Sequence, residues 1–356
     1  MDADGRANRR LRVGACLSLS GKFSRFGRQA ARALEVWATL DGGAEVCIED
    51  DASDVRRLRA VLPGMAARSD LLLGPYSTML MRVAGDMAAE AGWLVWNHGG
   101  SGDDVETAHP GHVASVLTPT SRYAEPFLSH LAAYSRPMPE LRIAHGKGRF
   151  GRQVANGAEA YARQLGFSRV STGPADAMLS NELPGDWILF TAGTFEEDIE
   201  TVARVRGLGR PPRLTCAVAA GVQAFGDAVQ SPDGILGIAQ WFPGSGQPSH
   251  LGPSEREFLD AYHAAAREAP GYPAAQAVAA AVLAVHCARQ TGGTDPELLW
   301  LAAAALDTST VFGTFKIDQT SGAQIKHRTI LIRWADKKPT AIRTQAAAAQ
   351  QTILTA

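Results

Sequence analysis

Cysteine, long apolar runs and an excess of either charge are all scarce in this sequence. Four cysteines in 356 residues are too few for a disulfide scaffold. With 35 Lys plus Arg against 36 Asp plus Glu, the net charge is −1. The chain therefore lacks the basic surface that binds nucleic acid or an acidic membrane, and we expect neither partner.

The longest apolar stretch, residues 274–288, is interrupted by Gln276 and His286. It is shorter than the roughly 18 residues that a membrane span needs, so it predicts a buried helix and no direct membrane insertion. The charged N-terminal residues are followed by a strand-like segment rather than by the apolar region of a signal peptide. Either the protein is cytosolic, or a signal segment has been removed ahead of Met1.

No metal-ligand spacing is found among the cysteines and histidines. His109 and His112 enclose Pro110 and Gly111, which exclude the helix that would aim both rings at one metal. Since Cys packs as a small apolar side chain, buried free thiols are expected at all four cysteines. Two of them, Cys16 and Cys47, would be neighbours if their strands pair.

Strand-like and helix-like segments alternate along the chain. The first group of strands is predicted at 12–19, 44–50, 70–75 and 93–97. The rhythm restarts after residue 121, with strands predicted at 141–145, 168–173, 186–193 and 213–218. Such alternation is typical of α/β units whose parallel sheet is covered by helices on both faces, so two such units follow one another.

The remainder is less regular, with helices predicted at 254–268 and 272–290 and strands at 313–318 and 326–334. Polar or Gly/Pro-rich linkers are predicted at 116–121, 242–254 and 319–324. Three linkers are one more than a simple tandem of two domains needs. The chain is therefore expected to cross between its two units more than once.

The segment Gly146-Lys-Gly-Arg-Phe-Gly151 lies between a predicted strand and a predicted helix, as a dinucleotide-binding fingerprint does. That fingerprint also needs an acid at the end of the next strand, where this chain has Thr172-Gly-Pro174. The favoured interpretation is a glycine turn that lets the backbone approach a small group, such as an anion near Lys147 and Arg149. An NAD-dependent oxidoreductase stays open as an alternative.

Support for catalysis is weak elsewhere. Ser101 lies in GGSGDD, which lacks the second glycine of a nucleophile elbow. The acidic groups at 49–51, 103–104 and 196–198 fall at strand-to-helix junctions, where the first turn of a helix stabilises acids. We therefore predict no enzyme, no catalytic residue, no metal and no cofactor.

Five loop motifs occur in a specific order: SGKFSRFG (20–27), EDDASD (49–54), GPYST (74–78), NHGGSGDD (97–104) and GKGRFG (146–151). Their order and spacing resemble the type 1 periplasmic binding proteins, in particular the leucine/isoleucine/valine-binding receptors of ABC importers. The resemblance extends over about residues 12–334. It implies an α/β fold of two Rossmann-like lobes with parallel sheets, joined by three hinge crossings.

On that resemblance, residues 10–120 and 246–324 form the first lobe, and residues 121–245 and 325–356 the second. A small-molecule ligand would lie in the cleft between them, which closes on it by hinge rotation. ABC permease subunits would be the partners, and the location would be periplasmic, or extracellular with a lipid anchor. A cytosolic or receptor-linked sensor of the same fold stays an alternative. Ligands do collect outside the carboxyl ends of parallel strands, where these loops lie.

The resemblance also implies contact residues. Phe26 would form an aromatic wall, Ser77 and Thr78 would bind a ligand carboxylate, and Phe150 would cover the ligand from the second lobe. The other expected contacts are Tyr76, His98, Gly100, Ser101, Thr194, Phe195, Ala220 and Trp241.

One departure from the family concerns the ligand's chemistry. Amino-acid-binding members place an acid before the glycine of the loop that here reads Ala219-Ala-Gly221. A buried ammonium without a countercharge is costly, so an aromatic or amine-free carboxylate is expected. An ordinary amino acid would need Asp103, Asp104 or Glu196 as a substitute.

Overall fold

A computed structural model describes residues 10–134, 138–179, 185–246 and 248–342. The chain divides into two compact units, which we call lobe 1 and lobe 2. Lobe 1 runs to Leu117 and resumes at Gly246–His327, and lobe 2 takes Thr118–Ser245 and resumes at Arg328. The chain thus passes between lobes three times. Residues 343–356 of the expected second lobe lie outside the described residues.

Lobe 1 contains a sheet of five parallel strands in the order β2-β1-β3-β4-β5. Numbered along the chain, its strands are β1 (Leu11–Leu17), β2 (Ala44–Asp50), β3 (Leu71–Leu73), β4 (Val95–Asn97) and β5 (Val113–Ser115). Its helices are α1 (Ser24–Asp41), α2 (Val55–Arg68), α3 (Thr78–Ala91), α4 (Asp104–Thr107), α10 (Glu255–Ala266), α11 (Tyr272–Thr291) and α12 (Pro296–Ala305). A short antiparallel pair completes it, β11 (Thr308–Thr310) with β12 (Gly313–Phe315).

Lobe 2 contains a mixed sheet of seven strands in the order β14-β13-β10-β9-β8-β6-β7. The strands are β6 (Glu140–His145), β7 (Val170–Pro174), β8 (Trp187–Ala192), β9 (Leu214–Ala217), β10 (Leu236–Ala239), β13 (Ile330–Ala335) and β14 (Lys338–Ala341). The helices are α5 (Glu125–Tyr134), α6 (Arg149–Gln164), α7 (Ala175–Met178), α8 (Phe195–Arg206) and α9 (Ala224–Ala228). The pairs β10–β13 and β13–β14 are antiparallel, and the other strand pairs of this sheet are parallel.

The buried helix predicted at 274–288 is confirmed as the central part of α11. Its many alanines let α11 pack closely on α1, and side chains are buried around its whole circumference. Among the residues that the structure describes, no helix is both long enough and apolar enough to span a bilayer.

Two sequence expectations are corrected. The strand expected at 326–334 begins only at Ile330, because the amides of Lys326 and His327 donate to the Gln324 side chain instead of to a neighbouring strand. β1 and β2 do pair, but Cys47 lies opposite Gly14 and not Cys16. All four cysteines are free thiols, and all but the half-buried Cys47 are buried as expected.

Candidate ligand-binding loops

Four loops of lobe 1 follow the carboxyl ends of parallel strands: residues 18–23, 51–54, 74–77 and 98–103. Because neighbouring parallel strands end at one edge of a sheet, these loops lie along the same edge. They contain the predicted lobe-1 contact residues other than Phe26 and Thr78, which lie in the helices that follow two of the loops.

The acidic pair after β2 shapes the loop after β1. Asp50 Oδ1 accepts hydrogen bonds from the amides of Leu19 (2.8 Å) and Ser20 (3.1 Å), and Oδ2 accepts from the Ser20 hydroxyl (2.6 Å). Although burial opposes it, this hydrogen bonding lowers the pKa of Asp50. Asp51 is buried and accepts from the Ser18 hydroxyl at 2.6 Å. The EDDASD motif (49–54) therefore links the loop after β2 to the loop after β1 through hydrogen bonds.

An aromatic cluster, defined here as Phe23, Phe26, Tyr76 and Tyr272, lies beside these loops. The rings of Phe26 and Tyr76 are stacked, with centroids 4.6 Å apart and 13° between their planes. The hydroxyls of Tyr76 and Tyr272 are 2.5 Å apart. The Arg25 guanidinium lies 5.0 Å from the centre of the Phe26 ring. The cluster thus combines aromatic rings with a cation that lies over the face of Phe26.

Ser77 and Thr78 join the loop after β3 to the loop after β4. Ser77 donates its amide to the Gly99 carbonyl, and its hydroxyl accepts from the Leu80 amide as the N-cap of α3. Thr78 Oγ1 accepts from the Gly102 amide at 3.1 Å. Ser77 has φ 103°, a value that non-glycine residues rarely adopt and that tends to occur at functional sites.

Asn97, at the end of β4, holds the loop that carries Gly100 and Ser101. Its Oδ1 accepts from the amides of Gly99 and Gly100, and its Nδ2 donates to the Gly100 carbonyl at 2.7 Å. The same Nδ2 lies 3.1 Å from Oε1 of Glu106, which is 3 % exposed. Burial raises the pKa of Glu106 to about 7.

Replacing Glu106 should change how the stability of lobe 1 depends on pH. Between its ordinary value of 4.5 and about 7, the folded protein keeps a proton that the unfolded chain has released. The free energy of unfolding therefore falls as pH rises through this range, by about 3 kcal/mol at about 1.4 kcal/mol per pH unit. Glu106→Gln removes this loss. The Tm of the variant minus the Tm of wild type should therefore increase by about 6 to 12 °C when the pH is raised from 4.5 to 8.

Thermal melts followed by circular dichroism at several pH values between 4.5 and 8 measure this gain. Glu90→Gln, on the exposed side of α3, is the matched control and should leave the pH profile of the Tm unchanged. A Tm difference for Glu106→Gln that is the same at every pH would contradict the prediction.

Four of the expected contact residues are buried: His98, Gly100, Ala220 and Trp241. Burial lowers the pKa of His98 to about 4, so its ring is neutral at physiological pH. Ala220 lies in the turn Val218–Gly221, and its carbonyl accepts a hydrogen bond from Trp334 Nε1. These four residues therefore expose little surface compared with Phe26 or Tyr76, which are half-buried.

In lobe 2, the glycine turn after β6 packs against the start of α8. Glu197 Oε1 accepts from the Lys147 amide at 3.0 Å, and its Oε2 accepts from the Thr194 amide at 2.8 Å. Thr194 and Glu197 form a capping box at the start of α8. A carboxylate of this chain thus occupies the amide that a pyrophosphate would need, and its charge would repel one, which argues against a dinucleotide site.

The lobe-2 aromatics lie close to the core of that lobe. Phe150, half-buried, meets buried Tyr123 edge to face at 5.9 Å and packs against the core around β6 and β8. Phe195 is half-buried beside the cluster that contains Val202 and Trp334, whereas Thr194 is exposed. Phe150 therefore combines a packing contact with an accessible part.

The acids near the predicted site differ in their availability. Asp104 is paired with Arg82 through two hydrogen bonds of 2.7 and 2.8 Å. Asp198 is 1 % exposed and accepts from Thr191 Oγ1 and the Ala219 amide. Glu196 is exposed on α8. Across the part of the chain that the structure describes, no group of three or more His, Cys, Asp or Glu side chains is arranged to hold a metal.

The sequence reasoning did not find Tyr272, Asn97 or Asp198. Tyr272 is separated from Tyr76 by 196 positions. The signal that the sequence offers there is Gly-Tyr-Pro, which marks the start of a helix but not a contact with Tyr76. Asn97 belongs to the NHGGSGDD motif, and nothing else in the sequence marks it. Asp198 was interpreted as a helix-start acid, although its carboxylate is directed to a different loop.

The chain matches the protein family described as "Periplasmic binding protein" over residues 10–339, and it belongs to that family. The resemblance to type 1 periplasmic binding proteins and the α/β fold class are thereby confirmed. No curated protein matches the chain in sequence.

Solved structures share its fold at low sequence identity. The ABC transporter substrate-binding protein of Desulfitobacterium hafniense in complex with Leu is 16% identical, with a TM-score of 0.76, over 94% of this chain and 100% of that one. A solute-binding protein of Rhodopseudomonas palustris BisB5 with 3,4-dihydroxybenzoic acid is 14% identical, with a TM-score of 0.75, over 95% and 97%. Another from R. palustris, with benzoate, is 17% identical, with a TM-score of 0.70, over 94% and 95%.

Proposed function

We propose that this protein is the solute-binding subunit of an ABC importer and that it binds an aromatic, amine-free carboxylate. Loops of both lobes would contact the ligand, and the protein would catalyse no reaction. The aromatic cluster beside the hydroxyls of Ser77 and Thr78 is the observation that carries the proposal. Its partners would be permease subunits, so the location would be extracytoplasmic.

The hydroxyls and the cation fit a carboxylate. In their described hydrogen bonds, the Ser77 and Thr78 hydroxyls act as acceptors, which leaves their protons to donate to an anionic oxygen. Arg25 adds positive charge beside Phe26. Because Tyr76 stacks on Phe26 and Arg25 lies over that ring, an aromatic body would pack against the ring's edge, which is one of the contacts that aromatic pairs prefer.

The acids argue against an amine on the ligand. Asp104 is paired with Arg82, and Asp198 is buried and hydrogen-bonded within lobe 2. The turn at 218–221 carries no acid. Relatives with this fold have been solved both with Leu and with benzoate or dihydroxybenzoic acid, so the fold accommodates either chemistry. The charges of this chain favour the second.

Removing the Phe26 ring should weaken the binding of an aromatic carboxylate. Losing the burial of an aromatic side chain costs roughly 2 kcal/mol, so benzoate affinity should fall by roughly 10- to 100-fold in Phe26→Ala. Isothermal titration calorimetry with benzoate measures the change. Tyr272→Phe, which keeps the ring but loses the hydroxyl contact with Tyr76, is the control and should bind within about threefold of wild type.

Native mass spectrometry of the protein as purified tests the function itself. A retained small organic acid, absent after unfolding and refolding, is the expected result. Benzoate binding that is equal in wild type and Phe26→Ala would place the ligand away from the aromatic cluster. Tight binding of NAD, with no organic acid retained, would favour the oxidoreductase alternative instead.

A further inference from the structure

The turn Val218–Gly221 of lobe 2 is held by side chains from two other elements. Asp198 of α8 accepts the Ala219 amide at 2.9 Å, and Trp334 of β13 donates its indole Nε1–H to the Ala220 carbonyl at 2.8 Å. The turn is also pressed against β10, since a Cβ at Gly221 would lie 1.9 Å from the Ile238 carbonyl oxygen. A carboxylate thus holds one amide of the turn, and an indole holds the next carbonyl.

Asp198 is an unusual residue at this place. Its neighbours on the buried face of α8 include Val202 and Val205, and the surrounding cluster contains Ala217, Phe225 and Trp334. Burying an ionised carboxylate among apolar groups is costly unless it is hydrogen-bonded. Asp198 accepts hydrogen bonds from Thr191 Oγ1 at 3.1 Å, from the Ala219 amide and from the Gly193 amide, so part of its hydrogen bonding goes to the turn.

We propose that Asp198 is a positioning residue for ligand binding: it fixes the Val218–Gly221 turn through the Ala219 amide, and its protonation decides how firmly the turn is held. The role of Asp198 in ligand binding rests on the proposed function. An ionised carboxylate accepts these hydrogen bonds as charge-assisted bonds. Once protonated, one oxygen carries a proton that must itself be donated, and the bond to Ala219 or to Thr191 weakens.

The titratable groups that face Asp198 do not change charge in the same pH range. Glu197, the preceding residue on α8, has its pKa lowered: burial opposes this, but the hydrogen bonds from the Thr194 and Lys147 amides prevail. Burial and the nearby Asp198 raise the pKa of the Cys216 thiol on β9 well above its ordinary value of 9.0. Burial raises the pKa of Asp198 itself to about 7. Near neutral pH, Asp198 is therefore the group that switches.

The indole of Trp334 reports on the turn without any ligand. In ¹⁵N-labelled protein, its Nε1–H signal can be assigned by its loss in Trp334→Phe and then followed from pH 5 to 9. We expect a chemical-shift transition with a midpoint near pH 7 in wild type and no transition in Asp198→Asn. Glu196→Gln, which alters an exposed acid of the same helix, should keep the transition. A transition that persists in Asp198→Asn, or a flat profile in wild type, would overturn the proposal.

Thr191→Val provides a second variant should Asp198→Asn fail to fold. It removes a hydrogen bond that favours the ionised carboxylate, so the midpoint should move to higher pH. An unchanged midpoint would mean that the transition belongs to a different group, and the proposal would fail.

Calorimetry with benzoate at pH 6 and pH 8 links the turn to binding. The ratio of the two Kd values should differ from one in wild type by about threefold or more and should return to one in Asp198→Asn. A ratio that is equal in the two proteins would remove Asp198 from ligand binding. If wild type does not bind benzoate at either pH, the proposed ligand class is wrong, whereas the ligand-free indole transition still decides whether Asp198 holds the turn.

Discussion

Phenylalanine should bind this protein at least about 1000-fold more weakly than 3-phenylpropionate, and leucine, isoleucine and valine should not bind tightly. The first two ligands share a ring and a carboxylate and differ only in the α-ammonium. The turn Val218–Gly221 carries no acid, although the family resemblance implies one there for an amino-acid ligand, so that ammonium would be partly desolvated without a partner. The unpaired charge costs several kcal/mol, and about 4 kcal/mol corresponds to a 1000-fold change in Kd.

Isothermal titration calorimetry with this ligand pair measures the difference directly, because stacking and carboxylate contacts are shared. The expected discrimination has a structural basis in the acids. Asp104 is committed to Arg82, and Asp198 is almost completely buried. Micromolar binding of leucine or phenylalanine would refute the prediction and would mean that a carboxylate such as Asp103 or Glu196 reaches the ammonium from another loop.

Gly151→Ala should destabilise lobe 2 strongly, whereas Gly148→Ala should not. A Cβ at Gly151 would lie 2.4 Å from the Ala192 carbonyl oxygen, at the end of β8. Backbone cannot move aside as a flexible side chain can, so overpacking here should cost about 2 to 3 kcal/mol, or about 5 to 10 °C in Tm. A Cβ at Gly148 would meet no atom within 4 Å, and φ is −73°. That variant should stay within about 0.5 kcal/mol of wild type.

Urea unfolding of the two glycine variants tests whether the glycine turn is organised by its packing against β8. In a dinucleotide fingerprint, the middle glycine lets the backbone approach the pyrophosphate, so its replacement would matter for binding. In this protein the Glu197 carboxylate already lies at the neighbouring Lys147 amide. Equal destabilisation by the two substitutions would show that the glycine turn is not organised by contact with β8.

Much of the fold and part of the candidate site could be predicted from local patterns. A strand, a turn and a helix each leave a signal within a few residues, and five such turns in a fixed order identified the family. The same turns located Phe26, Ser77 and Thr78 beside the carboxyl ends of the strands, because a parallel sheet places those ends at one edge. The strand predicted at 326–334 begins later, at Ile330, because the Gln324 side chain accepts hydrogen bonds from the amides of Lys326 and His327.

By itself, the sequence determined the α/β class, the succession of two units and the loops that carry candidate contacts, because those depend on periodicity and turn chemistry over short distances. Only the tertiary structure decided which side chains meet. Tyr272 reaches Tyr76 across 196 positions, and Asp198 reaches the Ala219 amide from a different element. It also decided burial, and with it charge. Asp198 belongs to a group that the sequence predicts as helix-start acids, and no pattern in the sequence marks Glu106, but desolvation in the folded lobes raises the pKa of each to about 7.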